Sequence, residues 1–584
     1  MRKTLFITLL TAALMGSAYA NTYYTTTPGA QQTSPPSDIY GIYAETGNAT
    51  NGSAEVFEVA TGDFSSLENV YGGYAYSGDA VGCSVTMSGG DVFMLISGGH
   101  SFYEGDAINN CVVISGGSAY IVHGGDTTTG DASGNAATLI DGVVNQCLHG
   151  GNSYQGAASN NSVTMNGGRV VLDVAGGCTA IGNANNNSVT LNGGDAEANV
   201  AGGQTSNGNV SGNTVTLKEG VAVGRHVYGG YSVESGNVSD NTVTLNGEVE
   251  WNVYGGAADS GTASGNSVIM NGGHVSSNVY GGLSKSVEAS RNTVILNAGI
   301  VDSIVYGGHS DLGDATNNTV IMTGGSADSI YGGHSDLGDA TNNTVIMTGG
   351  SADAIYGGAA IGGDISRGNA VHLVGAGASY SIGETIYQGG NVTVTSNVYA
   401  GYGNESLTNS VHVYGSGISV GGTISSCQQL NFHLVDAQAG GAATPMITLG
   451  GTLDIEGVGL GFFGDAVTNW ASFEGKSITL ISSTQTITVG GEGSLADVQI
   501  KSKDGVVIAT ASIELMQEGK SLVMSNIKGT SPIPEPSTGT LSLLALAGLC
   551  MRKRRKFPSP PVSAELQRKR LLALAGLAAR RRRK

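Results

Sequence analysis

Short runs in which apolar and polar residues alternate recur along most of this chain, and they end at glycine. Asn318-Thr-Val-Ile-Met322 and Ser329-Ile-Tyr331 are typical. A period of two predicts strands, and the glycines beside them predict tight corners with positive φ. The runs are themselves periodic. Twelve Gly-Gly pairs begin at Gly72, Gly98, Gly124, Gly150, Gly176, Gly202, Gly229, Gly255, Gly281, Gly307, Gly332 and Gly357; eight of the eleven intervals are 26 residues, one is 27 and two are 25. Such a period marks a solenoid, in which each unit buries its apolar face only against its neighbours. Two or three strands per unit make one turn of a parallel β-helix. Coils rise by the strand spacing of about 4.8 Å, so a dozen give a rod roughly 60 Å long. The fold class expected is therefore all-β: a right-handed parallel β-helix or solenoid of about 26-residue coils with a C-terminal all-β segment.

Around the repeats the pattern changes. Residues 21–67 begin Thr-, Ser- and Pro-rich and then become β-like, which predicts a leader and an N-terminal cap over the first open edge. Repeats occupy 68–380, where 309–333 and 334–358 are identical except for Ser329 against Ala354, the mark of a duplicated unit. Between 381 and 429 the register decays, and 430–528 carries longer runs such as Ser477-Ile-Thr-Leu-Ile481. That stretch reads as a separate all-β segment, either capping the solenoid or packed as a small sandwich.

Composition excludes a disordered chain: 95 of 584 residues are Gly, yet 40% are hydrophobic. Arg2 and Lys3, the apolar run Leu5 to Met15 and Ala18-Tyr19-Ala20 read as a secretory signal over 1–20 with cleavage after Ala20. Between Asn21 and Thr530 there are 43 carboxylates against 11 cations, a net charge near −32 compared with −19 for the whole chain. Such a field opposes nucleic acid and anionic lipid and favours cations. Cys83 and Cys111 stand one period plus two residues apart, which leaves a bridge between adjacent coils open; Cys147 and Cys178 fit less well.

The basic residues missing from the body gather at the end. Pro534-Glu535-Pro536 precedes the apolar run Leu541 to Met551 and the cluster Arg552-Lys-Arg-Arg-Lys556. Over 529–556 this resembles the PEP-CTERM sorting signal of Gram-negative bacteria. The resemblance implies transient insertion in the inner membrane, with Arg552, Arg554 and Arg555 held on the cytoplasmic side. It further implies cleavage near Pro534, Glu535 and Pro536 by an exosortase-type enzyme, and delivery to the cell surface, outer membrane or extracellular matrix. Residues 557–584 extend the tail: Leu543 to Leu549 recurs as Leu571 to Leu577, again followed by arginines. The solenoid resembles the passenger regions of autotransporter adhesins, without the terminal β-barrel by which those translocate themselves.

Candidate chemistry is mostly periodic. Asn161, Asn187, Asn213, Asn241, Asn266, Asn292, Asn318 and Asn343 precede the Ser/Thr-Val strand and predict a hydrogen-bonded amide ladder. Tyr228, Tyr254, Tyr280, Tyr306, Tyr331 and Tyr356 predict a stacked row, and either row is a surface a glycan could meet. Asp79, Asp106, Asp131, Asp314, Asp339 and Asp364 follow a glycine; calcium is the one cofactor such carboxylates suggest, although Asn183, Asn209 and Asn237 share the row and solvated turns account for it. His123 and His149 replace Tyr on consecutive coils, and His309 and His334 follow the glycine pair; these track the repeat, and no metal or catalytic residue is assigned. Basic residues share no common row, so paired acid–base chemistry is not expected. Three classes of function stand: an exported surface-associated structural or adhesion protein, a polysaccharide-acting β-helix enzyme, or a matrix scaffold without a discrete ligand.

Overall fold

In the computed structural model, residues 38–56, 67–363, 365–440, 444–488 and 495–530 are described. The chain is a parallel β-solenoid of about 15 turns, with 62% of residues in strands. Two short 3-10 turns, Asp436–Gly440 and Trp470–Phe473, are the helical segments among the described residues. One long sheet of 41 strands wraps most of each coil, and a second of 14 two- or three-residue strands closes the remaining edge.

The repeat explains each coil. In the strand Ser267–Met270, Val268 and Met270 are buried and the residues between them are half-buried; the pairing Thr242–Leu245 to Ser267–Met270 to Thr293–Leu296 sets like on like. Valine, leucine and methionine thus stack into one core running from Ala54 to Ile527. A second, smaller core of Ala184, Val210, Val238 and Ala258 lies apart from it. Between the two cores the walls of the coil meet.

That meeting corrects the corner reading of the glycine pairs. The pairs lie inside strands, as in Val253–Ala258, and none of their twelve first glycines has a positive φ. A Cβ on Gly255 would stand 2.3 Å from the carbonyl oxygen of Gly281 and 2.9 Å from the Ser267 amide nitrogen; one on Gly256 would stand 2.4 Å from the Asn266 side chain. The pair is needed because two walls touch backbone to backbone, leaving no volume for a methyl group. Positive φ belongs to the glycine that closes the Ser/Thr-Val run, as expected, at Gly168, Gly194, Gly273, Gly325 and Gly350, and to the residue before each inward asparagine: Asn109, Gly134, Asn160, Asn186, Gly212, Asp240, Gly265, Arg291, Asn317, Asn342 and Gly368.

The coils also extend beyond 68–380. Parallel pairing already joins Asp38–Ala44 to Asn69–Ala75, so the first described coil lies within the stretch read as leader and cap. A hairpin, Ser379–Ile382 with Thr385–Gln388, interrupts the register, after which Val392–Val394 pairs directly with the Gly350–Ala360 strand. Gln429–Val435 and Gly459–Ala466 pair in parallel, continuing the same core rather than forming a sandwich. Only the end is different: Leu495–Lys501, Val507–Met516 and Ser521–Gly529 pair antiparallel, and Ser521–Gly529 also closes on Ile478–Ser483. Val507–Met516 is paired along both sides and Ser521–Gly529 folds back on Ile478–Ser483, so this group closes the last described coil as a C-terminal cap.

Candidate functional site

The asparagine row is an unbroken ladder, longer than its sequence signal. Asn161 Nδ2 donates to Asn187 Oδ1 at 3.0 Å, the Asn161 amide donates to the same oxygen at 2.9 Å, and Asn187 Nδ2 donates to Asn213 Oδ1 and to the Ala158 carbonyl. Each amide therefore uses two donors and two acceptor positions, its full capacity. The same pattern runs through Asn110, Asn135, Asn369 and Asn409; the Cys83 amide donates to its head at Asn110, and Gln428 Oε1 accepts from the Asn409 amide at its foot. All of these asparagines are buried. Removing one side chain orphans its partners at roughly 1–3 kcal/mol each.

Outside the waist, two rows of side chains flank the glycine pair and converge over it. One is the tyrosine row, stacked from Tyr228 to Tyr356 and on to Tyr399, with centroids 4.3–5.3 Å apart. Asn252 Nδ2 donates to Tyr254 Oη and Asn278 Nδ2 to Tyr280 Oη. Burial pushes these phenols up, so they stay neutral. Their faces are spent on one another, and the row offers edges rather than rings to a ligand. The acidic row is likewise occupied: Asp79, Asp106 and Asp131 each accept the amide of the next coil at 2.7–2.9 Å, as do Asp314 and Asp339 at 2.9 and 3.0 Å. Asp364 lies outside the described residues.

Nearer the N-terminus the two outer rows change character. Register places Ser97, His123, His149, Ala175 and Ala201 where later coils carry Tyr. The facing row reads His100, Asp126, Asn152, Cys178 and Gln204. Asp126 is buried there: Oδ2 lies 2.7 Å from His100 Nδ1, Oδ1 lies 3.2 Å from His123 Nδ1, and Asn152 Nδ2 donates to Oδ1 at 2.7 Å. Burial alone would raise the Asp126 carboxyl, but His123 and His100 hold it well below the carboxylate range. Burial likewise opposes charge on His123, and the Asp126 carboxylate outweighs it, lifting His123 to about 10. His149 stacks on His123 with centroids 5.1 Å apart; burial, then the charge of His123, depress it to about 3. Cys147 Sγ stands 3.9 Å from His123 Nε2. The sequence marks His123 and His149 as a pair and Cys147 only as a poor disulfide partner of Cys178; Asp126 and His100 escape it, and the signal that joins them is that several rows leave the repeat consensus in neighbouring coils at once.

Over the same coils, rings lie open to solvent. Tyr76, Phe102, Tyr103 and Tyr154 are 44–59% exposed, and Tyr76 stacks with Phe102 at 5.7 Å. The five described cysteines are unpaired. Register explains Cys83 and Cys111: Cys111 pairs with Ser84, one residue past Cys83, so the two thiols leave opposite faces of the wall.

The chain matches no protein-family model, no curated protein and no solved structure. Geometry alone defines its class, a ladder-filled parallel β-solenoid whose outer rows leave the repeat consensus in a polar stretch around His123. Ala20, Pro534, Glu535, Pro536, Arg552, Arg554 and Arg555 lie outside the described residues. Among the described residues, no helix is long and apolar enough to cross a membrane.

Proposed function

We propose that the protein is an exported, surface-associated structural or adhesion rod of a Gram-negative bacterium, sorted through its PEP-CTERM-like tail. The solenoid is compatible with such a role. The observation that carries adhesion is the open ridge of Tyr76, Phe102, Tyr103 and Tyr154, because exposed rings on a soluble surface mark contact sites and ring faces suit sugars. Extracellular glycan or matrix is the partner class. The ladder supports the structural half of the reading, since a fully bonded interior holds such a ridge in fixed register.

Protease shaving of intact cells, with mass spectrometry of both terminal peptides, tests the assignment. It expects released repeat peptides, an N-terminus at Asn21 and a C-terminus near Pro534. Repeats protected on intact cells, together with a retained Lys584, would reject export to the surface. Saturable adsorption of the protein to glycan, weakened by Phe102→Ser and Tyr103→Ser, would separate an adhesin from an inert scaffold, and release of reducing ends would indicate an enzyme instead.

A further inference from the structure

Three side chains of the polar stretch carry metal-binding donors. One donor atom from each of His123, Cys147 and His149 lies within 4.8 Å of both others. The His123 Nε2 to Cys147 Sγ distance of 3.9 Å is close to what a tetrahedral ion needs, since bonds of about 2.0–2.3 Å place its ligands roughly 3.3–3.8 Å apart. His123 and His149 are each 7% exposed, while Cys147 is half-buried and gives access from solvent.

A second observation is independent of that spacing. Both ring nitrogens of His149 are buried and have no hydrogen-bond partner. A desolvated imidazole left unpaired costs about 1–3 kcal/mol, and the next coil shows that the position accepts Ala175 in its place. His123 is oriented as a ligand would be: Asp126 stands at Nδ1, leaving Nε2 toward the thiol. Nδ1 makes no aligned hydrogen bond to that carboxylate, so Asp126 acts on the ring through its charge.

We propose that His123, Cys147 and His149 bind one transition-metal ion of the zinc class, through His123 Nε2, the Cys147 thiolate and a ring nitrogen of His149. Two imidazoles and a thiolate are borderline-to-soft ligands, which select zinc or copper(I) over calcium or magnesium. On binding, the Cys147 thiol proton and the Nε2 proton of His123 both leave to solvent, and the sulfur–metal and nitrogen–metal bonds take their places. The fourth position is open to water. Cys178 is not counted, because its sulfur already accepts Gln204 Nε2 at 3.3 Å.

The same atoms admit one competing chemistry, a thiol nucleophile with His123 as base and Asp126 behind it. That reading leaves His149 without work, whereas the metal uses it. The group His309, His334 and Asp336 differs in kind: it has no thiol and repeats with the duplicated unit.

Cobalt(II) titration of the reduced full-length protein provides the test. A thiolate-to-cobalt charge-transfer band saturating at one equivalent, displaced by zinc, is expected, together with zinc protection of Cys147 from iodoacetamide. Cys147→Ser should abolish the band, and His149→Ala should weaken zinc binding at least about tenfold, the low end of what even an outer-shell change costs. His309→Ala should leave the affinity unchanged. Absence of the band in the parent protein would overturn the site. So would zinc affinity that survives both variants, or fast alkylation of Cys147 that zinc does not slow, which would give the thiol to nucleophilic chemistry. Because the band and the protection are read on the parent, the decision stands even if a variant folds poorly.

Discussion

Coils between Leu95 and Asn207 and those between Val227 and Tyr402 have the same interior and different exteriors. Both carry the asparagine ladder, the glycine-pinched waist and the Val/Leu/Met core. Outside, the later coils stack tyrosines, whereas the earlier ones place histidine, aspartate, cysteine and alanine at the same register. The waist and the ladder are fixed by steric contact and hydrogen-bond saturation, which tolerate one residue type per row, and the core rows beside them accept only apolar side chains. The exterior needs only a side chain that fits beside its neighbours. Function in such a fold is written where the outer rows depart from their consensus.

The strongest way to break this comparison is at the shared waist. Gly151→Ala and Gly256→Ala come from the two regions and should be equally damaging, about 3–5 kcal/mol each, since a methyl group meets the amide of the facing asparagine in both. Hydrogen exchange should show protection lost in the altered coil and its neighbours, because solenoid coils open locally. A tolerated alanine in either region would refute the shared-waist account.

Acid gives the next largest effect and sets one histidine cluster against the coils at 242–296. His372, His412 and His433 pack together near Tyr380 and Tyr414. Burial depresses His412 to about 4; burial, then His412, depress His433 to about 3; and His372 lies well below its usual value for the same reasons. Their folded values lie below the unfolded value of about 6.5, so between there and about pH 4 the unfolded chain binds protons that the folded chain refuses. Stability should be intact above pH 6.5 and fall by roughly 1–3 kcal/mol per histidine toward pH 4. Exchange protection at 370–374, 410–414 and 429–435 should drop with acid ahead of protection at 242–296; a uniform loss would count against it.

Exchanging the outer rows sharpens the contrast. Tyr280→Ala removes two ring stacks and should cost about 2–3 kcal/mol. In metal-free protein, His149→Ala removes a buried, unpartnered ring and should cost less than about 0.5 kcal/mol or stabilise. Urea midpoints under reducing conditions would compare them. A small gain is expected at Arg291, held at a φ of 55° in a row where the following coils place Asn317 and Asn342. Arg291→Asn should raise stability by roughly 0.5–1 kcal/mol, read as a small rise in melting temperature.

Much of the fold was legible because solenoid rows lie in register: the period gave the coils, and Asn161 to Asn343 and Tyr228 to Tyr356 announced their ladders. The glycine pairs were legible in position and misread in role, since the residue that permits a corner is also the residue that permits two walls to touch. Past residue 380 the period fails while the structure does not: the 379–388 hairpin lengthens the step from Asn369 to Asn409, and the ladder bridges it regardless. The polar cluster was half-visible. His123 and His149 share a row, but Cys147 and Asp126 come from rows on either side, Cys147 two residues before His149 and Asp126 three after His123, and the stacking of adjacent coils brings them together.

The asparagine ladder also gives the rod a direction. From Asn110 to Asn369 each Nδ2 gives one hydrogen to the Oδ1 of the following coil, and each Oδ1 from Asn135 to Asn409 accepts from the preceding one, so the amide dipoles add instead of cancelling. The column behaves as a small permanent electret threaded between the two cores, with its carbonyl ends facing the N-terminus. A coil can join it in only one orientation, so anything that lengthens the rod, such as the duplicated unit at 334–358, must preserve that vector to be accepted.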